Sequence, residues 1–250
     1  MTTTLAIDCG GGGFKACVLD DAGTMRAQPV RVATPYPLST ALFVDTLTLL
    51  ARGLPAADRA TVGLPGMIRH GVVITTPHYV TKSGPRSRVL PELVKQWTGF
   101  DARASLALAL GVPVKVLNDA EVHAAGVVTG QGLEVVLTLG TGLGCAVFDG
   151  GRLAPHMELS QMPVKTEVVY DNYIGEPERR RLGDALWSRR VVRMVEGFRP
   201  VFRWDRLYIG GGNSRHLTPV SAKRLGEDCV IVPNDAALIG GSRIWQLESR

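Results

Sequence analysis

Four stretches of this 250-residue chain set polar or acidic side chains at the ends of apolar runs, three of them among glycines. The first is Asp8-Cys9-Gly10-Gly11-Gly12-Gly13-Phe14-Lys15. Here a strand-like run delivers a carboxylate to a tight turn whose bare backbone lets N–H groups approach phosphate oxygens closely. Asp8 can hold Mg²⁺, usually through water, because that ion prefers oxygen ligands and keeps its hydration. Lys15 either faces the phosphates or lies on the strand surface. The second stretch, Leu137–Gly144, again runs a strand into glycines, and Thr141 adds a hydroxyl between Gly140 and Gly142. The third, Leu117-Asn118-Asp119-Ala120, ends a strand at a polar pair before a helix. It reads either as an Asx helix cap or as a general base, Asp119, that takes a proton from an attacking hydroxyl. In the fourth, Tyr208–Ser214, three glycines (Gly210, Gly211, Gly212) precede a helix, which suits an adenine, ribose or phosphate or simply a tight connection. Neither a P-loop nor a dinucleotide fingerprint is present.

The elements that must hold these stretches fall into two similar series. Thr4–Asp8, Phe14–Leu19 and Met25–Val32 read as three antiparallel strands joined by turns. A helix over Leu38–Gly53, strands Ala60–Leu64 and Val72–Thr76, and a helix Asp101–Leu110 with an Asp cap follow. Strand Val114–Leu117 leads into helix Ala120–Val128. The pattern then restarts with strands Glu134–Leu139, Gly144–Phe148 and Arg152–Ala154, a helix Glu178–Phe198, strands Leu207–Ile209 and Cys229–Val232, and a last helix Ala236–Trp245. Each half is a meander with a glycine-rich first turn, then alternating helices and strands. Two such turns at equivalent places point to a ligand in a cleft more than one turn would.

Composition narrows the class. Hydrophobic residues make up 45% and charged residues 20%, enough for a globular core. No apolar run is long enough to span a bilayer, and the N-terminus lacks a basic leader region, so no membrane association and a cytoplasmic location are expected. The four cysteines lack metal-ligand spacing and read as reduced thiols. A net charge of +5 suits a polyanionic ligand. Much of that charge, Arg179-Arg180-Arg181 and Arg189-Arg190, reads as the solvated face of an amphipathic helix.

Taken together, these motifs resemble the ROK family of sugar kinases and repressors, within the actin-like, sugar-kinase and Hsp70 superfamily, and most of all its short polyphosphate/ATP glucokinases. The family's Asp-x-Gly-Gly-x-Gly-x-Lys turn is matched by Asp8–Lys15, its Asn-Asp-Ala segment by Asn118–Ala120, its Leu-Gly-Thr-Gly-x-Gly by Leu139–Gly144, and its adenosine turn by Gly210–Gly212. Leu64-Pro65-Gly66, Thr75–His78 and Gln96–Gly99 are similar to segments on its sugar side.

The resemblance implies an α/β, two-lobed actin-like ATPase (ribonuclease H-like) fold with a central cleft, its lobes at 1–116 and 117–250. It implies phosphoryl transfer from ATP or polyphosphate, with Mg²⁺ at Asp8, to a hydroxyl of glucose or a related sugar. Asp119 would be the base; Asn118, Glu158, Gln161, Gly66 and His78 would bind the sugar. Gly10, Gly11, Gly12, Gly13, Lys15, Gly140, Thr141, Gly142, Gly210, Gly211 and Gly212 would hold the donor. The family's Glu-x-Gly-His becomes Glu158-Leu159-Ser160-Gln161 here, which moves donors and acceptors and leaves a modified sugar or a non-catalytic sugar-binding role open beside glucose. A basic stretch, Lys82–Arg88, looks like an insertion, either a surface loop or an opening for a larger or anionic substrate. No cysteine lies between Cys145 and Cys229, where zinc-binding members carry a cluster, so no zinc is expected. With no helix-turn-helix segment ahead of Asp8, no DNA binding is expected either; family members are often homodimers.

Overall fold

The computed structural model describes residues 1–232 and 236–247. The chain forms two compact units, Met1–Gly126 with the C-terminal helix from Ala237, and Val127–Ala236. The division falls at Gly126/Val127 rather than at 116/117, because the strand and helix between those points pair and pack within the first sheet.

In the first unit, β1 (Thr3–Gly10), β2 (Gly13–Asp20) and β3 (Val30–Val32) form the antiparallel meander. Helix α1 (Thr40–Arg52) follows, capped by the Ser39 side chain on the Leu42 N–H, then β4 (Arg59–Leu64). Strands β5 (Met67–Arg69) and β6 (Val72–Thr75) make a hairpin that the sequence reading missed in part; its turn residues His70 and Gly71 both have positive φ, as a tight hairpin turn requires. Helices α2 (Pro91–Trp97) and α3 (Ala102–Leu110), strand β7 (Val114–Asn118) and helix α4 (Asp119–Ala125) complete the series. As expected, Asp101 caps α3 and Gly111 ends it in the left-handed conformation. The sheet order is β3-β2-β1-β4-β7, with β4 and β7 parallel to β1. The expected third strand, Met25–Val32, pairs regularly only over Val30–Val32; Pro29 has no N–H to give a ladder, and Met25 makes an isolated bridge to Leu19.

Alternation along the strands sorts the faces. Leu5, Ile7, Cys9, Phe14, Ala16 and Val18 enter one core with α1 and α3. There Phe14, Phe43, Tyr79 and Trp97 pack as an aromatic cluster with ring centroids 5.1–6.1 Å apart. Trp97 is fully buried and donates to the Leu38 carbonyl, so the Gln96–Gly99 segment serves the core. The opposite face carries Ala6, Cys17 and Leu19.

The second unit repeats the plan. Strands β8 (Leu133–Leu139), β9 (Leu143–Asp149) and β10 (Arg152–Leu153) form a meander, followed by a small hairpin of β11 (Pro163–Lys165) and β12 (Val168–Val169). Helices α5 (Tyr170–Ile174) and α6 (Glu176–Phe202), strand β13 (Arg206–Gly210), helix α7 (Pro219–Arg224) and strand β14 (Cys229–Ile231) follow. The order β10-β9-β8-β13-β14, with β13 parallel to β8, mirrors the first sheet. Helix α6 bends at Gly183 and buries Trp187, Val191, Met194, Val195 and Phe198 against this sheet. Five of its arginines are paired locally. Arg179 and Arg180 pair with Glu176, Arg181 and Arg190 with Glu178, and Arg199 with Asp228.

Helix α8 (Ala236–Leu247) returns to the first unit, where Leu238 joins Ala6, Cys17 and Leu19. Gly240 and Gly241 allow the approach, since a Cβ on Gly241 would stand 2.5 Å from the Ala6 Cβ. Thr61 donates to the Gly241 carbonyl and accepts from the Trp245 indole. Among the described residues no helix is long and apolar enough to cross a membrane.

Candidate active site

In the first unit, sheet register lines up one row of residues. Asp8 pairs with Gly63 on β4 and with Lys15 on β2, and Lys15 pairs with Arg31 on β3. Directly opposed residues send their side chains to the same face, so Asp8, Lys15 and Arg31 share it. Helix α4 begins over Gly63, where an added Cβ would lie only 3.3 Å from the Asp119 Cα. A glycine at 63 thus lets the backbone of Asp119 settle beside Asp8. Burial pushes the Asp8 carboxyl above the usual carboxylate range, and Lys15 and then Arg31 pull it back. The buried Cys9 thiol is raised first by burial and then by both Asp8 and Asp119.

Asn118 supplies the helix cap of the third motif. It is the N-cap of α4, accepting from the Ala120 N–H at 2.8 Å, while the Glu121 carboxylate accepts from its own N–H at 2.9 Å. Its amide also donates to the Gly66 carbonyl at 2.8 Å, which ties the α4 start to the end of β4. The cap is therefore Asn118, and Asp119 is the first helical residue, partly exposed.

The Gly10–Gly13 turn is braced from outside. Thr34 and Tyr36 donate to the Gly10 and Gly11 carbonyls, and Tyr79 to that of Cys9. A Cβ on Gly11 would meet Pro85 at 2.7 Å and the His78 ring at 3.5 Å, and one on Gly13 would meet the Val32 carbonyl at 2.8 Å. Gly12 alone has open space over its Cα. His78 thus stands at the Gly10–Gly13 turn.

In the second unit, the two glycine turns are built onto each other. Gly211, at φ +83°, packs on the Leu139 backbone so closely that a Cβ would be 2.4 Å from the carbonyl oxygen. Asn213 donates to the carbonyls of Leu139 and Gly140. Gly140 and Gly212 face open space, and the Thr141 side chain is exposed. Asp171 accepts from the Leu143 N–H at 2.9 Å and fills the space beside Gly142. Its carboxyl is raised by burial and by Glu158. Glu158 accepts from Ser160 at 2.6 Å and lies 3.4 Å from the buried His156 ring, while Gln161 donates to Ser160 at 3.0 Å. The replacement of Gly-His by Ser-Gln thus draws Glu158 into a local polar chain.

Comparison with known proteins decides the family. The ROK family model matches residues 4–156, which include Asp8, Lys15, Asn118, Asp119 and the second glycine turn. The chain belongs to the ROK family. A polyphosphate glucokinase of Mycobacterium tuberculosis is 27% identical, with 94% of this chain and 88% of that protein aligned. The inorganic polyphosphate/ATP-glucomannokinase of Arthrobacter sp. strain KM is also 27% identical and superposes with a TM-score of 0.79 over 99% of this chain and 98% of that one. A ROK family glucokinase of Streptomyces griseus, solved with glucose and AMPPNP, shares the fold at 18% identity, with a TM-score of 0.69 over 95% and 97% of the two chains. The architecture is therefore the actin-like ATPase fold of ROK sugar kinases.

Arg31, Asp171 and His156 were not legible as site residues in the ROK motifs. Each meets its neighbours through register or a loop that the local sequence does not encode. Among the described residues, no group of three or more His, Cys, Asp or Glu side chains gathers to hold an ion. Mg²⁺ needs none, because it keeps several waters and takes one or two carboxylates with substrate phosphates. The desolvated Asp8 carboxylate beside an open glycine turn fits it.

Proposed function

We propose that this ROK protein is a sugar kinase that moves a phosphoryl group from ATP or polyphosphate to a hydroxyl of glucose or a related sugar. The observation that carries the reading is the row Asp119, Asp8, Lys15, seated on Gly63 at the end of one sheet. Phosphoryl transfer asks little covalent chemistry of the protein; positioning and charge stabilisation supply most of the rate. Asp119 takes the proton of the sugar hydroxyl as its oxygen bonds to phosphorus. The bond to the donor's bridging oxygen breaks, and that oxygen leaves with the electron pair. Lys15 and the backbone N–H groups around Gly12 bind the phosphate oxygens. Mg²⁺ at Asp8, bound largely through its own waters, would neutralise donor charge. Asn118, whose side-chain oxygen accepts from the Ala120 and Glu121 N–H groups and whose amide donates to Gly66, retains one amide hydrogen for a sugar hydroxyl. Glu158 and Gln161 supply the sugar-facing groups of the second unit, and Thr141 with Gly140 and Gly212 the donor-facing ones. The homodimer rests on the family alone.

The Ser160–Glu158 hydrogen bond favours a second reading within the same chemistry, an acceptor other than glucose. Phosphoryl transfer measured with Mg²⁺, with ATP and polyphosphate in parallel, against glucose, mannose and amino sugars tests both readings. Turnover of any sugar supports the kinase; turnover of another sugar but not glucose makes Ser160 and Gln161 the specificity change. Tight sugar binding without turnover on any acceptor would replace the kinase by a sugar-binding protein.

A further inference from the structure

The segment after β10 gathers polar groups around one carboxylate. The His156 side chain is 3% exposed, and its Nε2 lies 3.4 Å from Oε2 of Glu158, whose own side chain is 22% exposed. On the other carboxylate oxygen, the buried Ser160 hydroxyl donates to Oε1 at 2.6 Å, and Gln161 donates to Ser160 in turn. Backbone bonds fix the frame. The Ala154 N–H donates to the Val147 carbonyl on β9, and the Gln161 N–H donates to the Glu158 carbonyl at the single 3₁₀ turn Leu159–Gln161. The Glu158 charge also reaches the second glycine turn. Burial first, and Glu158 after it, raise the Asp171 carboxyl that accepts from the Leu143 N–H.

An ionised carboxylate only accepts, so Nε2 of His156 carries the hydrogen between the two side chains. The exposures set an order. A ligand that reaches this segment meets Glu158, while His156 stays behind it and acts through it. A free glutamate side chain samples several rotamers, and ordering it at the moment of binding costs affinity. A carboxylate held by a buried donor on each oxygen has met that cost on folding. The sequence carries a matching shift: the Glu-x-Gly-His pattern has its imidazole three residues after the glutamate, whereas here Gln161 fills that place and an imidazole stands two residues before. We propose that His156 is a positioning residue of the sugar site: with Ser160 it holds the Glu158 carboxylate in the orientation that accepts from sugar hydroxyls, so that the imidazole of this segment serves from behind the glutamate rather than from position 161. This inference rests on the sugar site proposed above but not on phosphoryl transfer itself.

The test uses the full chain with His156→Leu, His156→Gln, Glu158→Gln and the double variant His156→Leu, Glu158→Gln, each checked by a thermal melt. Glucose, mannose and glucosamine are titrated by calorimetry without donor, and KM is measured separately for sugar and donor. Loss of a hydrogen bond to a charged group should weaken binding of the preferred sugar by roughly 10- to 100-fold in His156→Leu. The donor KM should move by less than about twofold, because the lost contact serves the sugar alone. His156→Gln should recover about half of the loss on a logarithmic scale, since an amide N–H can donate to the same oxygen. The double variant should lose no more than about twofold beyond Glu158→Gln alone, as expected of a residue that acts through its neighbour. Should His156→Leu fail to fold, His156→Gln takes its place in the same cycle. Unchanged sugar affinity in the folded His156 variant would overturn the proposal, as would additive losses in the cycle or equal losses in sugar and donor KM. If wild-type protein binds a sugar through His156 yet transfers no phosphate to it, the kinase reading fails and this one stands. If it phosphorylates sugars well and the His156 variants are neutral, this one fails alone. Wild-type protein that neither binds nor phosphorylates these sugars would overturn both.

Discussion

Replacing Gly63 by alanine places one methyl between the sheet and the start of α4. The new Cβ would stand 3.3 Å from the Asp119 Cα and 3.4 and 3.6 Å from the Val122 side chain. Carbon atoms pack best at about 3.5–4.0 Å, so the first turn of α4 must move outward by roughly 0.2–0.7 Å. A displacement of about 1 Å in a catalytic group costs on the order of 100-fold in rate, and a proportional share gives roughly 3- to 20-fold. The stability effect should be small. Overpacking costs about 1–3 kcal/mol, partly offset by roughly 0.4–1 kcal/mol from the stiffer unfolded chain. Steady-state kinetics at saturating donor, with a thermal melt on the same preparation, separate the two effects. The expected result is kcat lowered several-fold, a sugar KM changed much less, and a nearly intact fold. An unchanged kcat in the folded variant would refute the idea that Gly63 sets the position of Asp119. A loss wholly in sugar KM would assign α4 to binding alone.

Gly211→Ala and Gly212→Ala should differ sharply. The first forces a Cβ into the Leu139 carbonyl at a positive φ, so denaturant unfolding should show about 3 kcal/mol or more of destabilisation; the second meets nothing within 4 Å and should keep stability within about 1 kcal/mol while weakening nucleotide binding. An equally stable Gly211→Ala would mean that the two turns are not packed as described. Glu176, held at a pKa of about 2 against an ordinary value of 4.5 by Arg179 and Arg180, contributes stability that is fully present above about pH 4.5 and is lost as pH falls toward 2. Acid titration of Glu176→Gln should therefore show a shallower loss of stability over that window, and an unaltered profile would remove Glu176 from the acid response.

The four motifs were legible because each is local: the end of a strand and the start of the next element lie within a dozen residues. Asp101 as a cap and Gly111 as a helix stop were readable for the same reason. Arg31 was not, because its place beside Lys15 depends on how β2 and β3 pair across the irregular 24–29 connection. Asp171 reaches the Leu143 N–H from 28 residues away, and nothing in its own neighbourhood marks it. The boundary at 116/117 fell inside β7, which is the last strand of the first sheet, although the second series of elements was read to start only at Glu134. The basic loop read as an insertion; the contact of Pro85 with Gly11, and of Gly84 with the Tyr36 ring that donates to Gly11, tie it to the Gly10–Gly13 turn.

The most direct test of the central claim is the single-turnover rate of sugar phosphorylation by Asp119→Asn, a near-isosteric change that keeps the helix start and removes the base. General-base catalysis contributes about 100- to 10,000-fold, so the rate should fall by that order while sugar binding changes only a few-fold. A rate within about threefold of wild type would contradict the assignment of Asp119 as the base.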